Sequence, residues 1–358
     1  MTAPTLVAGC MTGTSLDALD IAIVEIRGDG LSLAVKLRHE QSFELGQLAE
    51  PLRHLAFGGS TTIENLCRLR AEFSHFHAAA LNSLPECKKL DLISVHGQTL
   101  FHRPPLSYQL IDAAIIAHHL QRPVVYDLRA ADLACGGEGA PITPLADCVL
   151  FWKPGLRTAV VNLGGFCNIT LLPASGAPGQ IEAFDLCACN QLLDHVARSR
   201  LDQPYDRNGE TALGGAPQPM LVETMVRHFA GQSTQRRSLG SGDEMTRMVD
   251  ACQDIPASNL LASICLALAR HMAQAIGVAD EIILAGGGAH NGALLKALTA
   301  ECRGPVRLSS AHGIPISARE SMAMAVLGHL CKIRIPITLP QVTRVKEPPP
   351  ISGHFIHP

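Results

Sequence analysis

The sequence predicts an α/β protein of two similar lobes, and three observations lead there. A short apolar strand, a loop of small residues and a second apolar strand occur as a unit at residues 6–26, and again at 159–172. Amphipathic helices fill the stretches between these units. Hydrophobic residues make up 47% of the 358-residue chain and charged residues 17%, enough to bury two cores.

Taken in order, residues 6–10 read as a strand and 11–15 (Met-Thr-Gly-Thr-Ser) as a loop, with a second strand at 20–26. Residues 61–81 carry Leu66, Leu69, Phe73, Phe76 and Ala80 at helical spacing, and Thr61 with Glu64 forms a capping-box pattern. The second unit repeats the design: strand 159–163, then Gly164 and Gly165, then strand 169–172. Residues 259–276 form another helix, with Leu260, Ile264, Leu268 and Met272 on one face. Residues 281–285 read as a buried strand running into Gly286, Gly287 and Gly288, and 292–298 open a further helix. Residues 173–180 and 231–243 read as loops, and the proline-rich tail 347–358 as irregular.

Composition excludes several classes of function. A net charge of −3 and few aromatics (one Trp, three Tyr) argue against a nucleic-acid partner. No uninterrupted apolar run reaches the ~18 residues of a membrane span, and the N-terminus has no secretory pattern. Twelve cysteines without an export signal read as reduced thiols of a cytoplasmic protein. No zinc-ribbon spacing is present, and Cys187 and Cys189 read as structural thiols.

Six stretches could carry chemistry. Residues 9–20, GCMTGTSLDALD, offer bare backbone, hydroxyls and two acids, a pattern suited to a phosphate and its metal but without the Walker ending. Residues 162–168, NLGGFCN, repeat that layout in the second half. Residues 284–291, LAGGGAHN, place three glycines between a strand and a helix, without dinucleotide spacing. His96, Gln98, His102 and Arg103 crowd one turn region, suited to a hydroxylated ligand. Residues 127–144 bring Asp127, Arg129 and Asp132 beside a glycine turn. Asp185 follows an apolar run and is a candidate base for a water or hydroxyl nucleophile.

These stretches together resemble the anhydro-N-acetylmuramic acid kinases over nearly the whole chain. GCMTGTSLDALD (9–20), SVHGQTLFHRP (94–104), DLRAADLACGGEGAP (127–141), VNLGGFCNIT (161–170), FDLCACN (184–190), YDRNGETA (205–212), LAGGGAHN (284–291) and GIPISARESMAMAVLG (313–328) carry the resemblance. It implies the two-lobed actin/hexokinase (ribonuclease H-like) fold. The lobes would be 1–125 with 340–358, and 126–339, with the active site in the cleft between them. It implies an ATP-dependent kinase that opens the 1,6-anhydro ring of its sugar with water and phosphorylates O6, in cell-wall sugar recycling.

By the same resemblance Gly13, Thr14, Ser15, Asp17, Asp20, Asn162, Gly164, Gly165, Gly286, Gly287, Gly288 and Asn291 hold ATP. Asp185 is the catalytic base, and Glu320 matches a family glutamate near the sugar. His96, Gln98, Asp127 and Arg129 line the sugar site. Mg2+ is carried by ATP rather than by a cage of side chains. The expected partners are a small sugar and ATP, with no nucleic acid or membrane, and the family suggests a homodimer.

The chain departs from the family pattern in places. The usual S-G-T-S-L-D-G has Thr12 and Ala18 at its ends here, and the usual D-T-G-P-G-N is Asp185-Leu186-Cys187-Ala188-Cys189-Asn190. Arg129 is followed by Ala130 and Ala131 where the family carries more arginines, and Glu138 replaces a glutamine. These differences fall mainly on the sugar side and the Asp185 loop. They leave open a related kinase for another sugar or polyol, or a nucleotide- or sugar-binding sensor without catalysis.

Overall fold

The computed structural model describes residues 3–13, 16–233, 239, 243 and 245–358. The chain divides into two compact units, residues 1–151 with 317–358, and residues 152–316. The sequence reading placed 126–151 and 317–339 in the second lobe; the structure puts both in the first. The reason is a helix pair. Pro144–Phe151 and Arg319–Lys332 share a buried ion pair between Asp147 and Arg319, and the latter helix backs the first sheet.

The first unit contains β1 (Thr5–Thr12), β2 (Ala18–Asp29), β3 (Ser32–Glu44), β4 (Leu92–Val95), the hairpin β5 (Gln98–Arg103) and β6 (Leu106–Leu110), and β7 (Val124–Tyr126). The second contains β8 (Thr158–Leu163), β9 (Phe166–Leu172), β10 (Glu182–Ala188), β11 (Glu281–Ala285) and β12 (Val306–Leu308). A last strand, β13 (His354–Ile356), returns to pair with β7, so the tail is not wholly irregular.

The sheets run β13-β7-β4-β1-β2-β3 and β10-β9-β8-β11-β12. Each has three antiparallel strands in meander order, and two more strands parallel to the first of them. This order, built twice, is that of the actin/hexokinase class.

Alternation and burial explain the elements. In β2, Leu19, Ile21, Ala22, Ile23, Val24 and Ile26 are all buried, because helices and loops cover both faces of this central strand. Gly9 in β1 is needed for that cover. A Cβ there would sit 1.9 Å from the Ser321 carbonyl oxygen and 2.5 Å from the Ala325 nitrogen, so only glycine lets the helix Arg319–Lys332 lie against the strand.

The predicted helix over 61–81 is Ile63–Asn82; Thr62 rather than Thr61 caps it, its hydroxyl accepting the Asn65 N–H at 3.2 Å. The helix Ala257–Ile276 is long and apolar enough to cross a membrane by length and composition, and 67% of its apolar window is buried inside the second unit. Leu260, Ile264, Leu268 and Met272 face the core there, as their spacing predicts.

Candidate active site

The second unit gathers a platform of backbone and amides. The β8–β9 turn carries Gly164 and Gly165, and parallel pairing places Asn162 opposite Ala285, one residue before Gly286. Gly286 has φ +79°, and a Cβ on it would meet Asn162 Oδ1 at 2.7 Å and the Leu163 carbonyl oxygen at 2.9 Å. A Cβ on Gly288 would meet Asn190 Oδ1 at 2.6 Å, whereas one on Gly287 would meet nothing closer than Asn190 Nδ2 at 3.9 Å. The edges of the triple glycine are therefore locked against β8 while its centre is bare, exposed backbone. Asn291 is buried and caps the next helix through the Leu294 N–H at 3.0 Å.

The Asp185 loop is tied to the same turn. The Cys189 and Gln191 N–H groups donate to the Gly165 carbonyl at 2.9 and 3.2 Å, and the Asn190 N–H donates to the Gly164 carbonyl at 3.1 Å. Asn190 Nδ2 also donates to the Leu163 carbonyl at 2.9 Å. Asp185 lies on β10 opposite Asn168, and the register shifts just after it, before Cys187. The bulge aims its half-buried carboxylate away from the ladder, where Oδ2 accepts the Leu239 N–H at 2.8 Å.

The cysteines in place of the family's loop glycines are fully buried in the core, and burial pushes the Cys189 thiol up to about 12. They act here as small apolar side chains. Sequence reasoning missed Asn190 as a link, together with Gly209, where a Cβ would come within 2.1 Å of Asn291 Oδ1. The triple glycine could have pointed to neither, because both contacts are long-range.

In the first unit the β1–β2 turn closes with the Leu16 N–H donating to the Gly13 carbonyl at 3.2 Å, and Leu16 has φ +57°. Thr14 and Ser15 lie outside the described residues. Asp17 is exposed and pairs with Arg53 at 3.6 Å. Asp20 lies apart from that turn. It pairs across β3 with Ser42, whose hydroxyl donates to its carboxylate at 2.5 Å. Asp20 lines a cavity of about 180 Å³ with Glu40, Ser42, Ser317 and Ser321. Burial pushes its pKa up to about 6, with smaller contributions from the nearby Glu320 and Glu40 charges. Glu320 sits half-buried in the first turn of the helix Arg319–Lys332, so the structure joins two acids that the sequence reading assigned to different roles.

The remaining residues that the resemblance places on the sugar side all lie in the first unit. Gln98 is buried with Nε2 on the Thr99 carbonyl at 3.0 Å, and among the described residues neither its Oε1 nor His102 Nε2 has a partner. Two such atoms on one strand fit a ligand rich in hydroxyls. Asp127 turns with φ +52°, its Oδ1 accepting the Ala130 N–H at 3.2 Å and its Oδ2 lying 3.6 Å from His354. Arg129 meets His96 and the Gly139 carbonyl. Asp132, fully buried, accepts the Gly139 N–H at 2.7 Å and the Thr343 hydroxyl at 2.8 Å, and so shapes the Gly136–Gly139 turn.

The family described as anhydro-N-acetylmuramic acid kinase matches residues 5–355. The chain belongs to that family. An anhydro-N-acetylmuramic acid kinase of Salinibacter ruber is 33% identical over 97% of this chain and 95% of its own length. The kinase of the same description from Gloeobacter violaceus is 32% identical over 99% of both chains. Among solved structures, component A of (R)-2-hydroxyglutaryl-CoA dehydratase from Acidaminococcus fermentans is similar at TM-score 0.47 and 12% identity, covering 91% of this chain and 98% of its own. As a member of the anhydro-N-acetylmuramic acid kinase family, the chain is an ATP-dependent kinase that phosphorylates a sugar hydroxyl.

The platform fits the nucleotide. Bare, exposed backbone at Gly287 would let a phosphate approach its N–H groups, as anionic oxygens require. Among the described residues no three His, Cys, Asp or Glu are grouped to hold a metal ion. A magnesium ion bound mainly through phosphate oxygens and water needs no such group.

Proposed function

We propose that this kinase opens the 1,6-anhydro bridge of anhydro-N-acetylmuramic acid with water and transfers the ATP γ-phosphoryl group to the freed O6, in cytoplasmic recycling of cell-wall sugar. The observation that carries this reading is the position of Asp185. It is a half-buried carboxylate on a bulged strand, one loop away from the Gly164–Gly165 turn, to which Cys189 and Asn190 tie it. A base so placed suits a water-derived nucleophile beside a bound phosphate.

Asp185 takes a proton as water oxygen bonds to C1. The C1–O6 bond breaks, O6 bonds to the γ-phosphorus, and the β–γ bridge oxygen leaves with ADP. The Asp185 proton then passes to solvent. O6 accepts the phosphoryl group as it leaves C1, so no separate base is required for it. The Gly164–Gly165 turn, Asn162 and Gly286 to Gly288 hold the nucleotide. Gln98, His102 and Arg129 read the sugar. Magnesium on the phosphates supplies charge neutralisation. The twelve cysteines are all free thiols, in keeping with a reducing compartment. A homodimer is part of the same reading.

Mass spectrometry of the product tests it. A gain of one phosphate and one water on the anhydro-sugar is expected, and a gain of phosphate alone overturns the ring opening. Asp185→Asn should lower kcat by roughly 10²–10⁴-fold while ATP still binds. The alanines after Arg129 favour a second reading, a neutral sugar as acceptor, because alanine cannot grip a carboxylate. Turnover of anhydro-N-acetylglucosamine in preference to the muramic form would decide for it.

A further inference from the structure

His96 looks at first like a direct sugar ligand, but its surroundings give it other work. It is 4% exposed at the end of β4. Its Nδ1 lies 2.8 Å from the Gly97 carbonyl oxygen. A carbonyl can only accept, so Nδ1 carries the proton and Nε2 presents a lone pair. That lone pair faces Arg129, whose Nε and Nη2 lie 3.2 and 2.9 Å away. Both ring nitrogens are thus committed inside the protein. Burial first, and then the Arg129 charge, push the His96 pKa down to about 3, which keeps the ring an acceptor.

Each contact rests on a feature that fixes it. Gly97 has φ +75°, and a Cβ there would stand 3.0 Å from the Leu110 carbonyl oxygen, so the turn that aims its carbonyl needs glycine. On the other side Arg129 Nη1 donates to the Gly139 carbonyl at 2.7 Å. Gly139 is itself held by Asp132, and Asp132 by Thr343. Three guanidinium donors therefore meet two immobile acceptors, and the plane of Arg129 is set before any ligand arrives.

We propose that His96 is a positioning residue, acting on the sugar only through Arg129, whose guanidinium it orients by accepting at Nε2. This rests on the reading of Arg129 as a sugar ligand. Arg129 would then serve as a preset donor to the sugar, followed in the chain by Ala130 and Ala131, which carry no charge to share the task. Orientation set in advance improves binding because the side chain has no rotamers left to lose.

A double-mutant cycle tests the proposal, with steady-state kinetics on anhydro-N-acetylmuramic acid and calorimetry on ATP. Arg129→Ala should raise the sugar KM on the order of tenfold to a hundredfold, the range of a lost charge-assisted bond. His96→Leu should raise it to a similar degree, with ATP affinity unchanged. The double variant should be no worse than Arg129→Ala alone. His96→Gln, which offers an amide oxygen near the Nε2 position, should restore most of the KM. Penalties that add in the double variant would show that His96 touches the sugar itself and overturn the proposal. A Gln variant as impaired as the Leu variant would do the same. An unchanged sugar KM in Arg129→Ala would instead remove Arg129 from the sugar site, a failure of the functional reading that the cycle separates from the other two.

Discussion

The two units share one strand order and use it differently. The first offers candidate side chains. Of its candidate residues His96 and Arg129 are tied to each other, Gln98 to a neighbouring carbonyl and Asp127 to the Ala130 N–H, and a fully buried Arg319–Asp147 pair joins two of its helices. The second offers candidate backbone. Gly164, Gly165 and Gly286 to Gly288 form its platform, and asparagine amides brace them. Phosphate asks only for N–H donors and close approach, which glycine supplies. A sugar asks for donors and acceptors in set directions, which need side chains held by other side chains. One scaffold thus carries both solutions.

The contrast can be broken by mutation. Asp147→Ala should have the largest effect. It leaves the Arg319 charge, 1% exposed, without its carboxylate, and should cost about 3–5 kcal/mol in denaturant titration. A loss below about 1 kcal/mol, in the range of exposed pairs, would show that the first unit does not depend on buried charge. Next comes Gly286→Val. Its φ of +79° and the 2.7 Å approach to Asn162 Oδ1 leave no room for a branched side chain, so the ATP dissociation constant should rise at least about tenfold. Unchanged affinity by calorimetry in a folded variant would move the nucleotide elsewhere.

Acid should sharpen the comparison further. Among the described residues burial lowers the pKa of His77, His96, His102 and His329 in the first unit, and of His271 and His312 in the second. A histidine held neutral by folding binds fewer protons than it does unfolded. Its contribution is complete above the unfolded value of about 6.5 and falls away as pH drops towards the folded one. Hydrogen exchange followed from pH 7.5 to 5 should therefore show the first unit losing protection sooner. Equal loss in both units would mean that these histidines do not govern acid stability.

The smallest effect has the opposite sign. The Asp20 pKa is raised to about 6, so its contribution is complete below about 3.9 and is lost as pH rises through 6. Asp20→Asn should raise Tm by about 1–3 °C at pH 7.5 and leave it unchanged at pH 4. A gain at both values would point to packing instead of charge.

The same contrast explains what the sequence made legible. Local patterns were readable: residues 281–285 are strand β11, residues 6–10 and 159–163 lie within β1 and β8, and the face of Ala257–Ile276 lies where its spacing predicts. Glycines announced the platform because they mark backbone that something must approach. The links among the first unit's side chains were not readable. Arg129 to His96 and Asp132 to Thr343 join residues 33 and 211 positions apart, and nothing local requires them. Strand β3 alternates half-buried and exposed residues over 13 positions, a weak signal, and β13 is a strand only because β7 has an edge to offer. The unit boundary failed for the same reason, since Arg319 finds Asp147 across 172 residues.

That interrupted first unit bears on how the chain is made. The helix Arg319–Lys332 covers β1 so closely that Gly9 touches the Ser321 carbonyl, yet it is synthesised about three hundred residues later. While the ribosome is still working, the first 151 residues lack the layer that closes their core, whereas residues 152–316 have all of theirs. Although domains emerging from the ribosome usually mature from the N-terminus, here the middle of the polypeptide is the first part able to finish. Until residues 319–332 have emerged, the apolar back of the first sheet lacks its cover.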